Sequence, residues 1–218
     1  MRIGFVLFPN VTQLDFTGPA EVFAFARYEV VYPAASMDPV PTSAGFSVLP
    51  THTFETCPPL DVVCVPGGSG QDEAMVDAAT LEFVRKAAAE AKYVTSVCTG
   101  SLVLAAAGLL RGYRATTHWM ALDFLGELGA IPVKERVVVD RNRVTGAGVS
   151  SGIDFALSLV GIENGPDVAR RVMRGIEYDP VPPYAVDPAD DDVLRSQSGA
   201  RLAKRGAAVA QAAAALGR

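Results

Sequence analysis

A cysteine at the corner between a strand and a helix can serve as a nucleophile, and Ser96-Val97-Cys98-Thr99-Gly100 has that form. Tyr93 to Val97 reads as a short buried strand. The residues after Gly100, Ser-Leu-Val-Leu-Ala-Ala-Ala-Gly-Leu-Leu, read as a helix that is apolar nearly all round. A strand turning this sharply into a helix holds its corner residue up and exposed, as the G-x-S-x-G elbow does. Gly100 leaves room for the turn. The thiol also lies close to a helix N-terminus, where unpaired N–H groups favour the thiolate. Cys98 is therefore the candidate nucleophile, its alternative role being that of a buried structural thiol.

Thiol addition to a substrate needs a proton donor and a cradle for developing charge. Asp15, between apolar Leu14 and Phe16, is the candidate general acid/base. An apolar setting and a neighbouring anion would both raise its pKa; its alternative role is to cap the helix that follows. The N–H groups of Gly67 and Gly68 could stabilise an anion together with that of Thr99, or the glycines could simply form a turn. The Thr99 hydroxyl could bond an intermediate or cap the next helix. His118, after a strand in Thr116-Thr117-His118-Trp119, could reach the same edge with Trp119, although a structural histidine is the plainer reading. The turn at Gly148 and Val149 opens a helix and could line the same pocket. Cys57, in a proline loop, and Cys64, within a strand, read as inert. The histidines and cysteines have no metal-ligand spacing, so no metal is expected. Gly67-Gly68-Ser69-Gly70 lacks the lysine of a phosphate loop, and no G-x-G-x-x-G follows the first strand, so nucleotide binding has little support.

These residues must be held by alternating strands and helices. Arg2 to Phe8, Glu29 to Ala34, Asp61 to Val65 and Tyr93 to Val97 read as strands. Pro39 to Phe54 reads as an irregular hairpin with Gly45 in its turn. A first helix follows Leu14, with Thr17 or Gly18 as cap and Pro19 in its first turn. Asp77 leads into a second, with Leu81, Val84, Ala88 and Ala91 on one face. Arg114 to Thr117 is a short strand and Trp119 to Leu128 an amphipathic helix ended by Gly129. Val133 to Asp140 pairs with Arg143 to Thr145 across Arg141-Asn142. Helices at Ile153 to Val160 and Asp167 to Tyr178 follow. The predicted fold is α/β: a mostly parallel sheet sandwiched by helices, with a small hairpin added. In such sheets ligands bind beyond the carboxyl ends of the strands, where Asp15, the Gly67-Gly68 turn and Cys98 all fall. Residues 1–178 are expected to form the domain. Residues 179–218, acidic and then alanine-rich, are expected to be a partly helical extension of it or a dimer contact.

The 218 residues suffice for one sizeable domain, half of them hydrophobic and a fifth charged. A net charge of −5, with scattered lysine and arginine, argues against nucleic acid or an anionic membrane as partner. No apolar run approaches a bilayer's thickness, and the first residues enter a strand directly, leaving no room for a signal peptide. Three cysteines without framework spacing suit a reducing compartment. A cytoplasmic location is expected.

Val65-Pro66-Gly67-Gly68, the Cys98 elbow and Ala105-Ala106-Ala107-Gly108-Leu109-Leu110 resemble the ThiJ/PfpI superfamily, whose fold is like that of class I glutamine amidotransferases and flavodoxin. Five further stretches resemble its isocyanide-hydrating branch: Gln13 to Pro19, Cys57 to Val62, Thr95 to Leu104, Arg114 to Trp119 and Gly152 to Leu157. The likeness covers Arg2 to about Tyr178. Threonine follows Cys98 where some amidotransferase and protease members carry histidine. Certain AraC-like regulators share the elbow and Thr-Thr-His-Trp segments, but continue into a DNA-binding domain. The resemblance implies hydration of an isocyanide, R–N≡C, to an N-substituted formamide, without cofactor, by a homodimer. It implies Cys98 as the nucleophile forming a thioimidate, Asp15 as acid/base, and Gly68 and Thr99 as the cradle. Two other readings remain: a glyoxalase- or deglycase-like thiol enzyme, and a thiol or ligand sensor without catalysis.

Overall fold

Strands buried on both faces show no polar side, so Val62-Val63-Cys64-Val65 and Tyr93-Val94-Thr95-Ser96-Val97 belong in the middle of a covered sheet. The computed structural model describes residues 1–217 and places them there. The chain opens with β1 (Arg2–Phe5), α1 (Leu14–Phe25) and β2 (Glu29–Val31). Four two-residue strands follow, β3 (Pro33–Ala34), β4 (Val40–Pro41), β5 (Ser47–Val48) and β6 (His52–Thr53). Next come β7 (Val62–Val65), α2 (Gln71–Ala74), α3 (Ala78–Glu90), β8 (Tyr93–Val97) and α4 (Gly100–Ala106). Then follow β9 (Arg114–Ala115), α5 (Leu122–Glu127), β10 (Ile131–Pro132), β11 (Val137–Asp140) and β12 (Arg143–Gly146). The helices α6 (Ser151–Asn164), α7 (Pro166–Gly175), α8 (Asp190–Gln197) and α9 (Gly199–Ala215) complete the chain.

The main sheet has the order β11-β12-β8-β7-β1-β2. All its pairs are parallel except that of the edge strand β11 with β12. Helices α1, α6 and α7 pack together on one side, and α2, α3, α4 and α9 on the other. Counting only the parallel strands, the chain runs outward from β1 in both directions, the doubly wound order of flavodoxin-like folds. Register then sets the site. Val65 lies opposite Ser96, and Val97 opposite Gly146, so Gly67, Cys98 and Ala147 leave the sheet at one level.

Several elements differ from the sequence reading. The β1 ladder ends at Phe5, because the Leu7 N–H turns away to the Pro33 carbonyl. The second strand splits at Tyr32, and His52-Thr53 pairs in parallel with Pro33-Ala34 instead of closing the hairpin. Only Val40–Pro41 and Ser47–Val48 form a hairpin, with Gly45 at φ +84° in its turn. Helix α1 begins at Leu14 without a side-chain cap, so Pro19 lies inside it rather than in its first turn. Tertiary packing overrides the missing N–H. A Cβ on Gly152 of α6 would lie 3.0 Å from Pro19 Cδ, so the two helices meet closely there. In α3, Asp77 caps as expected by accepting the Thr80 N–H at 2.8 Å, but the buried side chains are Thr80, Phe83 and Val84. Trp119 to Ala121 is a turn of 3-10 helix, and the α-helix starts only at Leu122.

The tail is helical and packs back. Helix α9 lies against α2, α4 and α5, burying Arg205, Val209 and Ala212. Arg205 Nε meets Asp72 Oδ1 at 3.0 Å, both side chains 3% exposed. Among the described residues no helix is long and apolar enough to cross a membrane.

Helix α4 can leave the sheet only because residue 100 has no side chain. A Cβ there would lie 1.9 Å from the Val65 carbonyl oxygen and 2.7 Å from that of Pro66. Both are backbone atoms that cannot yield cheaply. Gly100→Ala is expected to cost about 3 kcal/mol or more, measured by urea unfolding; a wild-type midpoint would show that the elbow has slack.

Candidate active site

Cys98 sits at φ +57°, in the left-handed region that a residue with a Cβ enters at a cost of about 1–2 kcal/mol. Four hydrogen bonds hold it there. Its N–H donates to the Gly146 and Ala147 carbonyls at 3.1 and 2.7 Å. Its carbonyl accepts from the Thr117 hydroxyl at 2.9 Å and the Ser101 hydroxyl at 3.2 Å. The turn is thus clamped by residues from the end of β12, the loop after it, the loop after β9 and α4.

Asp15, in the first turn of α1, is fully buried. Its Oδ2 accepts the Gly67 N–H at 2.8 Å, while Oδ1 has no hydrogen-bond partner among the described residues. The Cys98 thiol is its other polar neighbour. The backbone ties the helix start to the glycine turn: the Thr12 N–H reaches the Gly67 carbonyl at 2.9 Å, and the Asp15 N–H reaches that of Thr12 at 3.1 Å. Burial raises the Asp15 pKa to about 7, opposed less strongly by the Gly67 N–H and then by the neighbouring Cys98 thiol. The acid and the thiol, 83 residues apart in sequence, therefore meet.

Cys98 is not the exposed thiolate that an elbow suggested. Its side chain is only 5% exposed, beneath α9. Burial, and then the nearby Asp15 charge, push the thiol pKa above its ordinary value; the Thr99 N–H, Arg205 and the Thr99 hydroxyl pull it down more weakly. Helix α4 is short, and desolvation outweighs its N-terminus. At neutral pH the resting thiol is protonated, beside a carboxyl poised to take its proton.

The two glycines also differ from expectation. The Gly67 N–H is spent on Asp15 and cannot also cradle an anion. A Cβ there would lie 2.6 Å from the Thr99 N and Oγ1, so Gly67 is what lets acid and elbow approach. Gly68, at φ +140°, donates to the Thr99 hydroxyl across 3.3 Å, a weak bond that leaves this N–H only partly committed. Thr99 makes no side-chain cap on α4, and its N–H and hydroxyl are turned to Cys98.

A cavity of about 140 Å³ opens over the sulfur, lined among others by Gly68, Cys98, Thr99, His118 and Val149. Gly148 stands behind that wall, with His118 Cδ2 3.6 Å from where its Cβ would be. His118 Nδ1 accepts the Met120 N–H at 3.3 Å, and burial, then Arg205 and Arg201, lower its pKa, so the ring is neutral. Trp119 is not among the lining residues, and the Arg195 guanidinium lies over its ring at 5.0 Å. A larger hollow of about 550 Å³, between the β1 loop and α2, is lined by no cysteine. The sequence reading missed Thr12, Met120, Ser198, Arg201, Leu202 and Arg205, which complete the lining. Four of them lie on the tail, whose place over the site only the fold reveals. No group of three or more His, Cys, Asp or Glu suited to a metal occurs among the described residues.

Comparison with known proteins agrees with this architecture. Residues 1–161 match the DJ-1/PfpI family. The isonitrile (isocyanide) hydratase of Pseudomonas putida is 55% identical over 185 residues, 84% of this chain and 81% of that one. The HTH-type transcriptional regulator GbdR of Pseudomonas aeruginosa is 30% identical over 186 residues, 81% of this chain but only 50% of its own. A crystal structure of a ThiJ/PfpI family protein from Pseudomonas syringae superposes with a TM-score of 0.92 at 42% identity, covering 95% of this chain and 90% of that one. With the fold, the elbow and most of its length matched, the chain belongs to the DJ-1/PfpI family.

Proposed function

We propose that this protein is an isocyanide hydratase, adding water to R–N≡C to give R–NH–CHO, with Cys98 as nucleophile and Asp15 as acid/base. The observation that carries this is the buried Asp15 carboxyl against the Cys98 thiol beside a small cavity. The high identity to an isonitrile hydratase supports the substrate class. The terminal carbon of an isocyanide must gain a nucleophile and a proton together, and a carboxyl beside a thiol can supply both.

Asp15 takes the thiol proton as sulfur bonds to the terminal carbon, and passes it to that carbon, giving the thioimidate R–N=CH–S–Cys98. Asp15, ionised again, removes a proton from water as its oxygen adds to the same carbon, and this proton goes to nitrogen. The C–S bond then breaks, the carbinol proton returns to sulfur through Asp15, and R–NH–CHO leaves. The cradle is narrower than the sequence suggested: the Thr99 N–H and hydroxyl, assisted by Gly68. Gly67 acts as a positioning residue by holding Asp15. Val149 lines the pocket with His118, while Gly148 and Trp119 act only from behind them.

A buried thiol with a raised pKa is slow to oxidise, which disfavours the sensor reading. The substrate is a small molecule. We take the assembly to be a homodimer in the cytoplasm, without nucleic acid, and residues 179–218 to be one unit with residues 1–178, since α9 closes the cavity.

Cys98→Ala is expected to abolish formamide production from a short alkyl isocyanide, followed by proton NMR of the formyl hydrogen. Asp15→Asn should lower kcat by at least about 100-fold, and near wild-type turnover by either variant would refute the assignment. The reactive form of the pair carries one proton, so kcat/KM should rise with pH through about 7, the Asp15 value. It should not fall again by pH 9.0, because the thiol is pushed above that value; a bell centred below 7 would contradict the pairing. Stability gives an independent check. Asp15 titrates near 7 when folded, against an ordinary 3.8. Its contribution is therefore most favourable below 3.8 and is lost as pH rises through 7. Asp15→Asn buries no charge, so its melting temperature should gain on wild type between about pH 5 and 8. The gain is worth at most about 4 kcal/mol, and a pH-independent difference would place the charge elsewhere.

A further inference from the structure

The roof of the cavity carries chemistry that hydration itself does not use. Helix α9 brings Arg201 and Arg205 to the lining, opposite the floor formed by Cys98 and Thr99. Only Nε of the Arg205 guanidinium meets Asp72, and the side chain is 3% exposed with Nη2 buried and unpartnered. A buried, partnerless guanidinium nitrogen costs free energy unless something occupies it. Arg201 is exposed and forms no ion pair among the described residues. His118 on the neighbouring wall is neutral, so it does not add to or offset this charge. The carboxylates near the cavity are Asp72, paired with Arg205, and Asp15, held close to its neutral form on the far side of the sulfur. The roof therefore carries two guanidinium groups against one charge-paired carboxylate.

We infer that Arg205 and Arg201 form an anion subsite, and that the preferred substrates are short isocyanides bearing a carboxylate at the end away from the N≡C group. This rests on the hydratase reading and names the class of R within it. The cavity, about 140 Å³, has the volume of four or five waters at about 30 Å³ each and lies well below that of drug-sized pockets. A linear isocyanide with its carbon on the Cys98 sulfur has little room before its other end meets α9. One or two carbons separate the two functions in such a ligand. A guanidinium fork matches a carboxylate geometrically and carries no competing acceptor. In a site shielded from water that contact discriminates strongly against an uncharged isostere, which leaves the donors unpaired.

The test compares charged and neutral ligands of one shape. Calorimetry on the wild-type protein should show N-formylglycine, the product from isocyanoacetate, binding at least about tenfold more tightly than N-formylglycinamide. The kcat/KM ratio of isocyanoacetate to its methyl ester should lean the same way. Both preferences should shrink in Arg201→Gln and vanish in the double variant Asp72→Leu/Arg205→Met, which removes the buried charges together and avoids stranding one. If the double variant does not fold, Arg201→Gln, at an exposed position, decides. Equal affinity for the two ligands in wild type, or a preference untouched by the variants, overturns the subsite. Turnover of neutral isocyanides without carboxylate preference also overturns it while leaving the hydratase reading intact. Selective carboxylate binding without any isocyanide turnover supports the subsite and removes the hydratase reading instead.

Discussion

The left-handed backbone at Cys98 is the constraint on which the site depends. A β-strand delivers its next residue along the sheet, but a nucleophile must leave the sheet plane and face the gap between loops. The change of direction takes place in one residue, at φ +57°. It persists because four hydrogen bonds, from segments that meet only in the folded state, leave the Cys98 peptide no other orientation. Local strain of this kind survives where the surroundings over-determine it. Gly100, immediately after, lets the next helix start against the Val65 and Pro66 carbonyls, so strain and close packing share one corner.

From that corner follows the electrostatic character of the pair. Because the elbow points under α9 and not into solvent, desolvation governs both groups. It raises the carboxyl toward neutrality and the thiol above its ordinary value, and each charge would oppose the other. An exposed thiolate would need no group near it to take its proton. A buried thiol does, and Asp15 becomes a proton carrier through the same burial that makes ionisation costly. The Gly67 N–H limits that rise by fixing one carboxylate oxygen and leaves the other without a hydrogen-bond partner among the described residues.

Much of this was legible before any coordinates. The alternation of apolar runs pointed to a mostly parallel sheet covered by helices, and the carboxyl-edge rule gathered Asp15, Gly67, Gly68 and Cys98 at one rim. What escaped was set by non-local packing. Pro19 looked like a helix start because propensity is local, yet its ring lies beneath Gly152 of a helix far along the chain. His52 and Thr53 looked like a hairpin arm because hairpins are the nearest pairing available, yet they join Pro33 and Ala34. Gly67 looked like an oxyanion donor because a bare N–H carries no label of its partner. The polarity of the cysteine environment was misjudged for a related reason: an elbow motif specifies direction, not what lies above it.

What lies above it is the tail. Ala-rich and without an apolar stripe strong enough to announce a partner, α9 is held down by Val209 and Ala212, by the exposed pair of Lys204 with Glu73 and by the buried pair of Arg205 with Asp72. Two charges removed from water return little net stability, even at good distance. A leucine and a methionine of similar volume would hold the helix as well, so packing alone gives no reason for Arg205 to be charged. The charge has a consequence toward the cavity, whose lining includes Arg205, because an aliphatic replacement there would offer no donor. The same residue thus fastens the lid and sets its polarity, which ties the chemistry of the roof to the stability of the helix that carries it.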